Sequence, residues 1–189
     1  MEVNMFRRPA LNSLILFVVL ASAQNLFSQS HGPAPAQIEA MKKMHFLVGE
    51  WKGEGWTEFV PGKRATASIT EKAQVKLGGI VMLIEGLGTT KIPGKVEEQV
   101  VHNAMAVMWY DQQAKLYRLR SFLVDGRAID AEAKFIGESF QWGFKSPYGG
   151  NIRYTISLTP KGEWFEIGEM SEDGNSWRKF HEMTLQRVK

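Results

Sequence analysis

The chain of 189 residues contains no cysteine. Disulfides are therefore excluded whatever the compartment, and a hydrophobic core has to supply the stability. Runs of like charge are also missing. The 23 lysines and arginines interleave with 20 aspartates and glutamates for a formal net charge of +3. That alternation describes a solvated surface and lacks the clustered basic stripe that nucleic-acid binding needs. Internal repeats and low-complexity tracts are absent. Histidine is scarce, with His31, His45, His102 and His181 spread over a linker, a helix and two strands. No two of them stand at metal-ligand spacing. With no G-x-S-x-G element and no thiol, no nucleophile motif is present, and the sequence predicts a protein without catalysis. The acidic pairs Asp130 with Glu132 and Glu97 with Glu98 fall on a polar face and at a strand start, where they are solvated.

Long apolar runs are missing except near the start. Arg7 and Arg8 precede the apolar run Leu14 to Leu20, and Ala21-Ser22-Ala23 closes it. This three-part order predicts a secretory signal, residues 1–23, cleaved after Ala23. The run is shorter than the roughly 20 residues that span a bilayer, and no later segment has the length or apolarity to do so. The expectation is a secreted or periplasmic protein that does not span the membrane. Residues 24–35, ending in His31-Gly-Pro-Ala-Pro35, read as a linker, and 36–189 suffice for one domain with a single core.

What is present is periodicity. Between Ala36 and Phe46, Ile38, Met41 and His45 recur at helical spacing behind Pro35, which predicts a short amphipathic helix. Everything after it alternates at period two, in ten segments near 48–60, 64–77, 80–89, 97–111, 115–124, 127–136, 138–145, 151–159, 163–171 and 176–187. Turn signals separate them, among them Pro61-Gly62, Gly78-Gly79, Pro93-Gly94, Asp125-Gly126 and Asp173-Gly174. Close spacing with tight turns gives sequential hairpins. A meander this long either leaves edges exposed or closes on itself, so the predicted fold is all-β, an up-and-down antiparallel barrel of about ten strands with a short N-terminal helix. A two-sheet sandwich is the alternative.

The faces follow from parity. Ala65, Ala67, Ile69, Ala73, Val75 and Leu77 share the apolar face of the second strand, with Glu71 as the one polar residue among them. Phe140, Trp142 and Phe144 face inward on the seventh strand, and Ile152, Tyr154, Ile156 and Leu158 on the eighth. On the first strand Gly49, Trp51, Gly53 and Gly55 lie inside, while Glu50, Lys52, Glu54 and Glu58 look at water. Glycine on the concave face lets a strand bend and a neighbour come close. Trp56 falls on the polar face unless a bulge re-aims it.

Gly49-Glu50-Trp51, behind a short helix, resembles the G-x-W signature of lipocalin-type barrels, and G-x-W-x-G-x-G resembles the start of the nitrobindins. Together with "LVGEWKGEGW", "LGG" followed by Glu85-Gly86, "WYD" at 109–111 and "DGNSWRKFHEMTLQR" at 173–187, the chain resembles a bacterial family of lipocalin-like barrels described as a domain of unknown function, DUF1579. That resemblance implies an arginine from the last strand over the tryptophan, here Arg187 over Trp51 as a structural closure of the barrel end. It also implies that His181, Met183, Leu185 and Arg187 face inward.

No reaction comes with such a fold. Glu71, a carboxylate among alanines and valines, has to find a partner or shift its pKa upward, as a salt-bridge member or as a ligand contact. Arg118 and Arg120 lie opposite Tyr117, Leu119 and Leu123 and point outward; with that face reversed they become anion hooks. The reading is a barrel that binds a small, largely apolar molecule, with Glu71, Phe140, Trp142, Tyr154 and His181 as ligand-binding residues and no metal or cofactor. Two alternatives stand beside it. Nitrobindins hold haem iron with a histidine late in the chain, which makes His181 the ligand of a haem protein acting on nitric oxide or peroxide. Or the barrel is filled and acts through its outer surface as a protein-interaction module, with Trp56 as an exposed contact.

Overall fold

The computed structural model describes residues 34–188. The signal segment, its cleavage site and nearly all of the linker lie outside the described residues. Helix α1 spans Pro35–Lys42, with the proline in its first turn, where a missing N–H and a fixed φ suit a helix start. A 3-10 turn at His45–Leu47 follows. Met41, Met44 and Leu47 are buried, whereas His45, expected on the buried stripe, is exposed. The reason is the change of period: once the helix gives way to three residues per turn, the stripe passes from Met41 to Met44 and Leu47.

Ten strands follow, as the period-two pattern predicts: β1 (Gly49–Thr57), β2 (Ala65–Lys76), β3 (Val81–Lys91), β4 (Glu98–Asp111), β5 (Leu116–Leu123), β6 (Ala128–Ile136), β7 (Ser139–Lys145), β8 (Asn151–Leu158), β9 (Trp164–Ser171) and β10 (Arg178–Arg187). Each pairs antiparallel with the next, and β1 pairs with β10, so the sheet closes. Closure leaves no unpaired edge. A sandwich is excluded.

Closing the ring requires β10 to come tight against β1. A Cβ on Gly53 would strike the Thr184 carbonyl oxygen and lie 2.9 Å from Leu185 Cα, and one on Gly55 would lie 2.6 Å from Ile69 Cδ1. Both positions face inward, as the alternation requires, and both are glycine because another strand or side chain occupies the space. Trp51, fully buried between them and α1, donates from Nε1 to the Leu47 carbonyl at 2.7 Å. Its ring meets Trp164 edge-on at 5.7 Å and lies 4.1 Å from the Arg187 guanidinium. Arg187 donates in turn to the carbonyls of Phe46, at 2.8 Å, and Val48. Helix, first strand and last strand are thereby tied at one end of the barrel.

The same end is packed solid. Tyr117 donates its hydroxyl to the Ala40 carbonyl at 2.8 Å, and its ring meets Phe135 at 5.6 Å and Phe140 at 5.4 Å, all edge-to-face. Fully burying a ring of this size contributes roughly 1.5–3 kcal/mol. The outer faces carry the ion pairs: Arg118 with Glu132 at 2.7 Å and Asp111 at 3.4 Å, and Arg120 with Asp130 at 3.5 Å. Both arginines therefore point outward and are not anion hooks.

Two inner-face assignments change. Leu77 is 73% exposed, because β2 ends at Lys76 and Leu77 turns away with φ +49°. Leu158, the last residue of β8, keeps its parity but is exposed at the strand end. One feature breaks period two altogether. The register of β9 with β10 shifts between Lys179 and His181, and this bulge places both Phe180 and His181 on the inner side.

Candidate functional site: a deep cavity with two carboxyls

Away from α1, the barrel interior is open. A cavity of about 1990 Å³ runs from the mouth, between the β1–β2, β5–β6, β7–β8 and β9–β10 loops, down to Trp164 and Met108. Its walls are largely apolar, formed by inward residues such as Ile69, Ile84, Leu119, Ile156 and Met183. The interior is thus not filled by its own side chains. The gap comes from the small inward residues of β3 and β4: Gly86, Gly88, Ala104 and Ala106 all line it.

Of the residues expected to bind a ligand, four line this cavity and one does not. Trp142 and Tyr154 stack at 4.4 Å and 13° on adjacent strands, a cross-strand pair in register, and Phe144 continues the stack at 6.1 Å from Trp142. Phe140, by contrast, is completely buried in the solid cluster at the closed end and is no part of the cavity wall. Its inward parity is right, but its position along β7 puts it beneath the cavity floor.

Glu71 faces the cavity from β2, opposite Gly86 of β3. The glycine leaves room for the carboxyl: a Cβ there would lie 2.6 Å from Glu71 Oε1, and the Glu71 side chain would have to shift. Among the described residues Glu71 makes no hydrogen bond and no ion pair, so it is not a member of a barrel salt bridge. Burial lifts its pKa well above the usual carboxylate range, and the negative Glu166 lifts it further. Glu166, on β9, is a second inward carboxyl that the sequence reading did not find. It is buried, accepts a hydrogen bond from Trp164 Nε1 at 3.2 Å, and has its pKa pushed up to about 7 by desolvation, which that bond only partly offsets. Removing a carboxylate from water favours its neutral form, and a like charge nearby favours it again.

The mouth carries two imidazoles. His181 is hydrogen-bonded through Nδ1 with Thr57 Oγ1 at 3.2 Å and lies edge-to-face to Tyr154 at 5.9 Å. Burial and the neighbouring His102 hold its pKa down at about 4, against the opposing pull of the Trp56 backbone and Glu182. His102, on β4, lines the same cavity, and desolvation lowers its pKa too. Both rings are consequently neutral near neutral pH. Tyr154 is lifted by burial and by Glu166, so its hydroxyl stays protonated.

Trp51 and Arg187 sit at the closed end and outside the cavity lining, in the closure role the resemblance implies. Trp56 does lie on the outer face, but the Arg64 guanidinium covers its ring at 3.6 Å. It is half-buried rather than a free contact. Among the described residues no cluster of three or more histidine, aspartate or glutamate side chains could hold a metal ion.

No family model matches the chain, and no curated protein matches it. Among solved structures it is similar to Rv2717c from M. tuberculosis, with a TM-score of 0.56 and 11% identity over 79% of this chain and 98% of that one. It is also similar to the S-type phycobiliprotein lyase CPES from Guillardia theta, with a TM-score of 0.55 and 10% identity over 81% and 93%. Both are ten-strand barrels of lipocalin-like type. At these identities the likeness shows the fold. The chain is a closed ten-strand barrel of that type with an open interior.

Proposed function

We propose that this protein binds a small, largely apolar molecule inside its barrel, outside the cytoplasm once residues 1–23 are removed, and that it does not catalyse a reaction. The observation that carries this reading is the cavity itself. At about 1990 Å³ it exceeds the roughly 300–1,000 Å³ of ordinary small-molecule pockets, and it has their composition: apolar and aromatic walls with a few polar groups at defined places. A packed interior would stabilise the barrel more, since an unfilled apolar cavity forfeits dispersion contacts along its whole lining. Titration of the folded mature protein with the neutral, environment-sensitive dye N-phenylnaphthylamine tests it. One saturable step is expected; no uptake contradicts the reading.

A second reading is favoured by one residue. His181 is neutral, has Nδ1 engaged by Thr57, and lines an apolar cavity beside Tyr154 and Phe180. An imidazole oriented through one nitrogen is the donor arrangement a haem iron takes. In that case His181 would hold the iron, Trp142, Tyr154 and Met183 would pack the macrocycle, and the bound haem would supply reactivity toward nitric oxide or peroxide. A Soret band in protein purified from its native host decides for this reading, and its absence there decides against it.

A further inference from the structure

The polar groups of the cavity are unevenly placed. Its cationic lining residues are confined to the mouth: Lys63 and Arg127 in loops, Lys145 and Arg178 at strand ends. Two of these are already engaged. Arg127 pairs with Asp125 at 2.7 Å, and Arg178 donates to the carbonyls of Glu58 and Phe59 at 3.1 and 3.2 Å. The acidic lining residues Asp130, Glu172 and Asp173 also lie near the mouth, whereas Glu71 and Glu166 stand deeper, on strands whose neighbours contribute alanine, glycine and aliphatic side chains. No cation of the chain pairs with either among the described residues.

Glu71 is the decisive residue. An enclosed carboxyl ordinarily has hydrogen-bond partners, because leaving it without any forfeits its hydration for nothing. Here it is half-buried in the cavity wall, and among the described residues no hydrogen bond or ion pair engages it. The neighbouring strand has glycine at the position where any side chain would displace it. Glu166 uses one oxygen for Trp164 and keeps acceptor capacity on the other.

We propose that the molecule held in this barrel carries a protonated aliphatic amine on its apolar body, and that the amine seats on Glu71 with Glu166 as the second carboxyl. This rests on interior binding as proposed above. An ammonium brings several donors and one positive charge to two acceptors that have neither, in surroundings where a charge-assisted hydrogen bond is stronger than in water. A ligand carboxylate would bring another acidic group beside carboxyls whose surroundings already disfavour negative charge. A neutral alcohol would satisfy one acceptor and bring no charge to pair with the carboxyls. The apolar remainder of the molecule then lies along Trp142, Tyr154 and Met183 toward the mouth.

Displacement of N-phenylnaphthylamine by decylamine, decanol and decanoate, which share an alkyl body and differ in head group, tests the assignment near neutral pH. Decylamine should displace the dye at a concentration on the order of tenfold below decanol, as expected for one charged hydrogen bond, and decanoate should be the weakest. In E71Q the amine should fall to the level of the alcohol, with far-ultraviolet dichroism showing that the variant folds; E166Q should narrow the difference in part. Equal displacement by amine and alcohol, a preference for decanoate, or an amine preference intact in both variants overturns the proposal while leaving interior binding in place. Failure of the dye to bind at all overturns both.

Discussion

Glu71 and Gly86 face each other across the β2–β3 ladder, and a single methyl group on Gly86 would stand 2.6 Å from a carboxylate oxygen. Gly86→Ala therefore has to displace the Glu71 carboxyl. Because the atoms in the way are the far end of a flexible side chain, the cost sits at the low end of overpacking, about 1 kcal/mol, and E71A should recover most of it in the double variant. Urea midpoints of the four proteins measure this; strictly additive losses mean that the two residues do not meet.

The first strand gives a prediction about architecture. Gly53→Ala drives a methyl into the β10 backbone at Thr184 and Leu185, where nothing flexible can yield. Gly62→Ala, in the open β1–β2 loop, meets no atom within 4 Å and incurs only the strain of φ +77°, about 1 kcal/mol. Denaturant midpoints should drop several-fold further for Gly53→Ala. Equal losses contradict the tight approach of β1 and β10.

Trp51 and Arg187 close the barrel end together. Trp51→Ala should destabilise by roughly 3–5 kcal/mol as a large-to-small core change. Adding Arg187→Ala should then do less than it does alone, since its guanidinium has lost the ring beneath it. A double-mutant cycle with no coupling rules out the stack.

Glu166 ties stability to pH. Its pKa rises from 4.5 unfolded to about 7 folded, so between those values the folded state keeps a proton that the unfolded state has released. Stability then falls as pH rises through that window and levels off above it. His181 works in the opposite sense: lowered from 6.5 to about 4, it makes stability fall as pH drops through that range. Glu71, Tyr154 and His102 face the same cavity and keep contributing in both proteins. Comparing wild type with E166Q removes this group, together with the lift it gives Glu71 and Tyr154, while glutamine still accepts from Trp164. The variant should gain on wild type from pH 4.5 to 7 by up to roughly 3 kcal/mol. A constant offset across the window contradicts the buried assignment.

Most of this barrel was legible in the chain because period-two alternation and Gly/Pro turn signals are local. Ten strands, the inward faces of β2, β5, β7 and β8 and the outward Arg118 and Arg120 follow from them. Four features were not legible, each for a physical reason. Position along a strand is set by barrel shear rather than by parity, so Phe140 has the right face and the wrong depth. A bulge breaks the alternation without any change in composition, which hid Phe180 beside His181. Glu166 sits in Trp164-Phe165-Glu166-Ile167, where both parities carry large apolar residues, so only the pairing of Ile156 with Glu166 fixes its side. His102 and His181, distant in sequence, meet at the mouth through closure alone.

The central claim is that the interior, and not the outer wall, is the binding site. Ala104 lines the cavity on β4 opposite Gly86, on the floor around Glu71, so Ala104→Phe fills the space without touching the outer face. The direct measurement is N-phenylnaphthylamine titration of wild type and this variant, with far-ultraviolet dichroism confirming an intact barrel. The expected result is saturable binding by wild type, weakened by an order of magnitude or more in the variant. Unchanged affinity in a folded Ala104→Phe protein would contradict it and move the site to the surface.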